Sequence, residues 1–109
     1  MEFGDYRKEV RRTLPNLGGN SIDNLHMILG MVTEVGELAD VFKKNLAYNK
    51  PIDWVNVEEE LIDVLWYMCN FANINNINME QAMQNNINKL KIRFPDKFTQ
   101  ENAIFRNIE

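Results

Sequence analysis

The sequence predicts an all-α fold, a helical bundle of four to five helices completed by oligomerisation. Apolar residues recur at helical spacing through most of the 109 residues, and strand-type alternation never lasts beyond a few positions. Breakers at 15–20, at Asn49-Lys50-Pro51 and at Pro95 then cut the chain into segments of helix length.

Taken in order, residues 1–14 carry alternating charge and suit a short helix or arm. Pro15, Asn16, Gly18, Gly19 and Asn20 make a loop, after which Ser21 or Asp23 is the expected cap of a helix over about 22–47. Asn49, Lys50 and Pro51 end it. Asp53 is the expected N-cap of a third helix over 54–74, with Glu58, Glu59 and Glu60 near its favourable end. A loop at 75–78 leads to a fourth helix over 79–93, stopped by Pro95, and Thr99 or Gln100 opens a short last helix reaching 106. The whole chain, 1–109, reads as one domain, with 1–20 as an N-terminal arm or short helix and 95–109 as a C-terminal tail or short helix.

Composition excludes several classes. The net charge of −4 argues against non-specific binding to nucleic acid or anionic membranes. A nucleotide substrate stays compatible with that charge, because a metal bridges acidic side chains to phosphates. Cys69 is the single cysteine, which removes internal disulfides and cysteine-based zinc clusters. No signal peptide and no apolar run of membrane-spanning length is visible, so a cytoplasmic location is expected.

The chemistry concentrates in Glu34-Val35-Gly36-Glu37 and Glu60-Leu61-Ile62-Asp63. Each motif holds two carboxylates three residues apart, hence side by side on one helix face. Glu34 and Glu37 share their side of the helix with Met27, Gly30, Leu38 and Val41, whereas His26, Thr33, Asp40, Lys43 and Lys44 form a polar wedge elsewhere. Glu37 borders that wedge. Glu60 and Asp63 share a face with Val57, Val64, Tyr67, Phe71 and Ile74. Carboxylates on an apolar stripe repel one another and are costly to bury unpaired. A hard divalent cation removes that conflict, and Mg²⁺ is the usual candidate. Gly30 and Gly36 each cost about 1 kcal/mol against Ala inside a helix, which a close helix approach or a ligand beside the backbone would rationalise. Glu58 and Glu59 lie off the stripe and are read as helix-start charges, and Asp40, one turn beyond Glu37, is weighed as an outer ligand and read as solvated.

Asn86, Lys89 and Arg93 fall at i, i+3 and i+7 on the fourth helix, so they line one face that suits a polyphosphate. Trp54, Trp66 and Phe94 are read as core or subunit interface, while Tyr67, one turn past Asp63, is the aromatic expected at a ligand. With His26 as the only histidine there is no Glu-x-x-His pair, which argues against a di-iron bundle. Catalytic triads, glycine-rich phosphate loops and zinc-protease motifs are absent.

Glu34-x-x-Glu37, residues 38–59, then Glu60-x-x-Asp63 resembles the motif of the MazG-like all-α nucleoside triphosphate pyrophosphohydrolases. The strings LGMVTEVGELADVFKK, EEELIDVLWYM, NINKLKIRFPDKF and ENAIFR extend the resemblance over about 24–106. It implies hydrolysis of a nucleoside triphosphate between the α and β phosphates, giving a monophosphate and pyrophosphate, as in nucleotide-pool housecleaning. It implies Mg²⁺, with Mn²⁺ as a substitute, on Glu34, Glu37, Glu60 and Asp63, and polyphosphate contacts from Asn86, Lys89 and Arg93. It also implies a homodimer or homotetramer, with the chain as a stand-alone module. By its edge position Glu37 is the carboxylate expected to orient water or take its proton. Two alternatives stand beside this reading: a non-catalytic helical module that binds a metal or a basic partner, and a nucleotide-binding regulator without turnover. A DNA-binding helix-turn-helix lacks the basic recognition helix it would need.

Overall fold

Residues 1–14, 19–96 and 99–104 are described by a computed structural model, and they carry five helices and no strand. The helices are α1 (Phe3–Arg12), α2 (Asn20–Tyr48), α3 (Trp54–Ile74), α4 (Met79–Arg93) and α5 (Gln100–Ile104). The chain divides into two units, Met1–Ile77 with α1 to α3 and Asn78–Glu109 with α4 and α5. The all-α class is as the sequence predicts. The breaker at 15–18 and the extension of the last helix to 106 lie outside the described residues.

Asx side chains set the boundaries that match best. Asp53 accepts a hydrogen bond from the Asn56 amide at 3.2 Å and starts α3 at Trp54. Asn78 does the same for Gln81 at 3.0 Å and starts α4 at Met79. Asn49 closes α2 in the left-handed conformation, at φ 54°. This is the role of a C-terminal Asn where Gly is missing. The start of α2 differs from expectation. Its cap is Gly19, without a side-chain bond, and Ser21 and Asp23 lie inside the first turn. There Asp23 faces the dipole as a charge rather than as a cap. Glu58 and Glu59 are exposed as expected, but they sit past the first turn of α3, where the dipole acts weakly.

In the first unit, α2 and α1 both pack on α3. The α2–α3 pair is antiparallel, and its register is pinned at both ends. At one end Asn24 and Asn75 exchange side-chain amide hydrogen bonds at 3.1 and 2.7 Å. At the other, Phe42 meets Trp54 edge to face with ring centroids 6.0 Å apart. Between them Tyr67 lies against Gly30, where any Cβ would collide with its ring. The expected close helix approach at Gly30 is therefore a side chain crossing the α2 backbone. Met27 beside it is fully buried.

A polar ladder joins α1 to α3. Asn73 donates to the Arg7 carbonyl at 3.3 Å, Asn70 to the Val10 carbonyl at 3.1 Å, and the Trp66 indole to the Thr13 hydroxyl at 2.9 Å. Trp66, Asn70 and Asn73 follow the i, i+4, i+7 stripe of α3, so one face of that helix reads one face of α1. Asn70 is fully buried beside Cys69, and Asn73 also donates to its side-chain oxygen at 3.1 Å. A buried amide is tolerable only when bonded. Asn70→Ala is therefore expected to lower unfolding free energy by about 1–3 kcal/mol in urea titration. A loss below about 0.5 kcal/mol would mean that the ladder does not hold α1.

Candidate metal centre between α2 and α3

The antiparallel register sets the two acidic motifs opposite each other. One carboxylate oxygen from each of Glu34, Glu37 and Glu60 lies within 4.8 Å of the others. Glu34 and Glu60 are partly buried and Glu37 is exposed, as its place at the edge of the apolar stripe predicts. Asp63 stands one turn further along α3, exposed, and shares a hollow of about 300 Å³ with Glu34, Trp66 and Tyr67. Tyr67 is held edge-on by Trp66 at a centroid distance of 4.8 Å and by His26 at 6.1 Å. Of the expected site residues, Glu34, Glu37 and Glu60 thus form the cluster, and Asp63 and Tyr67 line its flank. Asn86, Lys89 and Arg93 belong to the second unit, spaced along one side of α4.

The electrostatics are those of crowded like charges. Glu37 has its pKa raised, first by hydrogen bonding to the Glu60 carboxyl, which requires a shared proton, then by that group's charge and by desolvation. Glu60 is raised first by hydrogen bonding to Glu34 and then by desolvation. One oxygen of Glu34 and one of Glu60 are shielded from solvent without any hydrogen-bond partner. Orphaned carboxylate oxygens are costly to bury, and a hard divalent cation is the ligand such a donor set accepts. The residues present therefore fit a divalent metal.

A larger cavity of about 740 Å³ opens from the other side of the cluster, reached by Glu37 and Glu60. Thr33, Gly36, Asp40, Val41 and Lys44 of α2 form one wall. Lys50 and Pro51 of the connecting loop, with Asp53 and Asn56 at the start of α3, form the other. Three members of the polar wedge, Thr33, Asp40 and Lys44, thus line the cavity, and Asp40 and Lys44 remain about half exposed there. Asp40 pairs with Lys44 at 2.8 Å. That hydrogen bond lowers the Asp40 pKa and raises that of Lys44. The sequence signal was present in Asp40 and Lys44 at i, i+4 beside an interior glycine, but the return of the loop through Lys50 and Pro51 builds the opposite wall.

A family model described as the MazG nucleotide pyrophosphohydrolase domain matches residues 23–98. The Gene 37 protein of Mycobacterium phage L5 is 33% identical over 79 residues, covering 68% of this chain and 69% of that protein. No solved structure matches.

The raised pKa values carry a sign. A carboxyl raised in the folded state adds stability below its unfolded pKa and loses it as pH rises through the folded value. In EDTA, thermal stability is expected to fall as pH rises past the ordinary carboxylate range through the raised values of Glu37 and Glu60. Saturating Mg²⁺ is expected to remove that fall. Identical pH profiles with and without metal would contradict a metal at this cluster.

Proposed function

The chain belongs to the MazG nucleotide pyrophosphohydrolase family, and from that membership and the cluster geometry we propose that it is a Mg²⁺-dependent nucleoside triphosphate pyrophosphohydrolase. The observation that supports this most is the convergence of Glu34, Glu37 and Glu60 with two shielded, unpartnered oxygens. On this reading Glu34, Glu37, Glu60 and Asp63 hold Mg²⁺, or Mn²⁺ in its place. The metal, when bound, polarises phosphate oxygens and lowers the pKa of adjacent water.

The chain's own residues do the rest. Glu37, the most accessible of the three clustered carboxylates, orients the attacking water and accepts its proton. The water oxygen bonds to phosphorus of the α–β anhydride and the bridging P–O bond breaks. Pyrophosphate leaves, and the nucleoside monophosphate remains. Such a displacement needs positioning and charge neutralisation more than covalent catalysis. Asn86, Lys89 and Arg93 are proposed to contact the polyphosphate, and Tyr67 the substrate beside Asp63.

A homodimer or homotetramer is part of the same proposal. Ile22, Leu25, Leu29 and Val32 recur at i, i+3, i+7 and i+10 on α2 and are between 53% and 63% exposed. A continuous apolar stripe of this kind favours a covering subunit. Val32→Asp is expected to lower the sedimenting mass, and an unchanged mass would remove α2 from the interface.

Pyrophosphate release is expected from one or more nucleoside triphosphates with Mg²⁺ and from none with EDTA. Glu37→Gln and Asp63→Asn are each expected to reduce kcat by at least about 10²-fold, with helical circular dichroism intact. Mg²⁺-dependent turnover retained in both variants would overturn the assignment. No release by a well-folded wild type would favour the non-catalytic binding module.

A further inference from the structure

The cavity beside the cluster carries an inference that rests on the reading just proposed and says which end of the substrate it takes. Gly36 stands in the middle of a 29-residue helix, where glycine is unfavourable. Unlike Gly30, it answers to no neighbour: a Cβ built there meets nothing within 4 Å. The space that Cβ would fill is the cavity of about 740 Å³, which Gly36 lines. Packing among the described residues gives no reason for the glycine, whereas a ligand lying against the α2 backbone gives one.

The lining charges decide which part of a nucleotide fits. The cavity is bordered by Glu37, Asp40, Asp53 and Glu60 against Lys44 and Lys50. Glu37 and Glu60 belong to the metal cluster. The remaining two aspartates balance the two lysines, and Lys44 is already bonded to Asp40 at 2.8 Å. No surplus cation is left for a polyphosphate. The volume lies within the range of small-molecule sites, and Gly36, Val41 and Pro51 add the uncharged wall such sites use. The hollow on the far flank, of about 300 Å³, is much smaller.

We propose that this cavity holds the nucleoside end of the substrate against the Gly36 backbone, and that the Asp40–Lys44 pair reads the edge of the base. Asp40 presents an acceptor and Lys44 a donor, held at fixed spacing one helical turn apart. A base with the complementary donor and acceptor bonds to both while they stay paired with each other, and one with the reverse pattern sets donor against donor and acceptor against acceptor. The phosphates then run from the cavity to the cluster, which puts the scissile anhydride beside Glu37.

The test uses the full-length protein. Gly36→Ala is expected to raise the melting temperature, because alanine favours the helix, while raising KM about tenfold or more at similar kcat. Mn²⁺ affinity, read by electron paramagnetic resonance, is expected to stay unchanged in this variant. Asp40→Asn combined with Lys44→Met is expected to reorder kcat/KM among the bases by about tenfold or more. In amide NMR spectra with Mg²⁺, a panel of nucleoside monophosphates is expected to shift Thr33, Gly36 and Asn56 well beyond what inorganic pyrophosphate does. If wild-type turnover is present but Gly36→Ala leaves KM unchanged, or the double variant keeps the base order, the assignment is overturned while the activity stands. A loss of oligomeric mass in Gly36→Ala would assign the glycine to a subunit contact and overturn it as well. If turnover is absent, the spectra still decide. Monophosphate shifts at Gly36 sustain the nucleoside pocket, whereas shifts confined to Trp66 and Tyr67, or equal shifts from pyrophosphate, overturn it.

Discussion

Three carboxylates whose oxygens lie within 4.8 Å of one another, at the seam between two packed helices, create a repulsion that the rest of the first unit is built around. Two of their oxygens have neither solvent nor a donor. Protonation relieves part of this, and the pKa values of Glu37 and Glu60 are raised accordingly. A divalent cation relieves it at neutral pH without surrendering the charges, and those charges are what phosphate chemistry needs held in place.

Holding like charges face to face requires that the helices be unable to slide. The Asn24–Asn75 amide exchange and the Phe42–Trp54 contact fix α2 against α3 at its two ends, and Tyr67 over Gly30 fixes it near the middle. The asparagine ladder to α1 then keeps α3 from rotating, with Asp63 on the same stripe as Trp66 and Asn70, and Glu60 turned to the cluster with α2. Fold and site are therefore one construction. Met27, Cys69, Ala72 and Val10 are the buried apolar residues among those described, and polar bonds share the fixing of register with the Phe42–Trp54 and Tyr67–Gly30 contacts.

The helices were legible where a capping side chain announced them. Asp53 and Asn78 mark the starts of α3 and α4 because each supplies the oxygen that an orphan amide needs. The start of α2 was misread because Ser21 and Asp23 have cap chemistry, yet the helix begins upstream of both and Gly19 occupies the cap. The pairing of the two acidic motifs followed from helical period alone, as did the marginal exposure of Glu37. What period alone did not reveal was the second face. Thr33, Asp40 and Lys44 read only as a polar wedge because a helical wheel knows one helix at a time, and the turn at Lys50 and Pro51 makes their side concave. The buried amides Asn70 and Asn73 were missed for the same reason, because their partners are carbonyls of a helix some sixty positions earlier.

The central claim is that Glu34, Glu37 and Glu60 form a divalent-metal centre. Anomalous diffraction at the manganese edge, from crystals grown with Mn²⁺ and a nucleoside triphosphate whose α–β bridge cannot be cleaved, tests it most directly. The account predicts an anomalous peak within coordination distance of oxygens from Glu34, Glu37 and Glu60. Density for the nucleotide with its metal held elsewhere, or with no peak at these carboxylates, would contradict it.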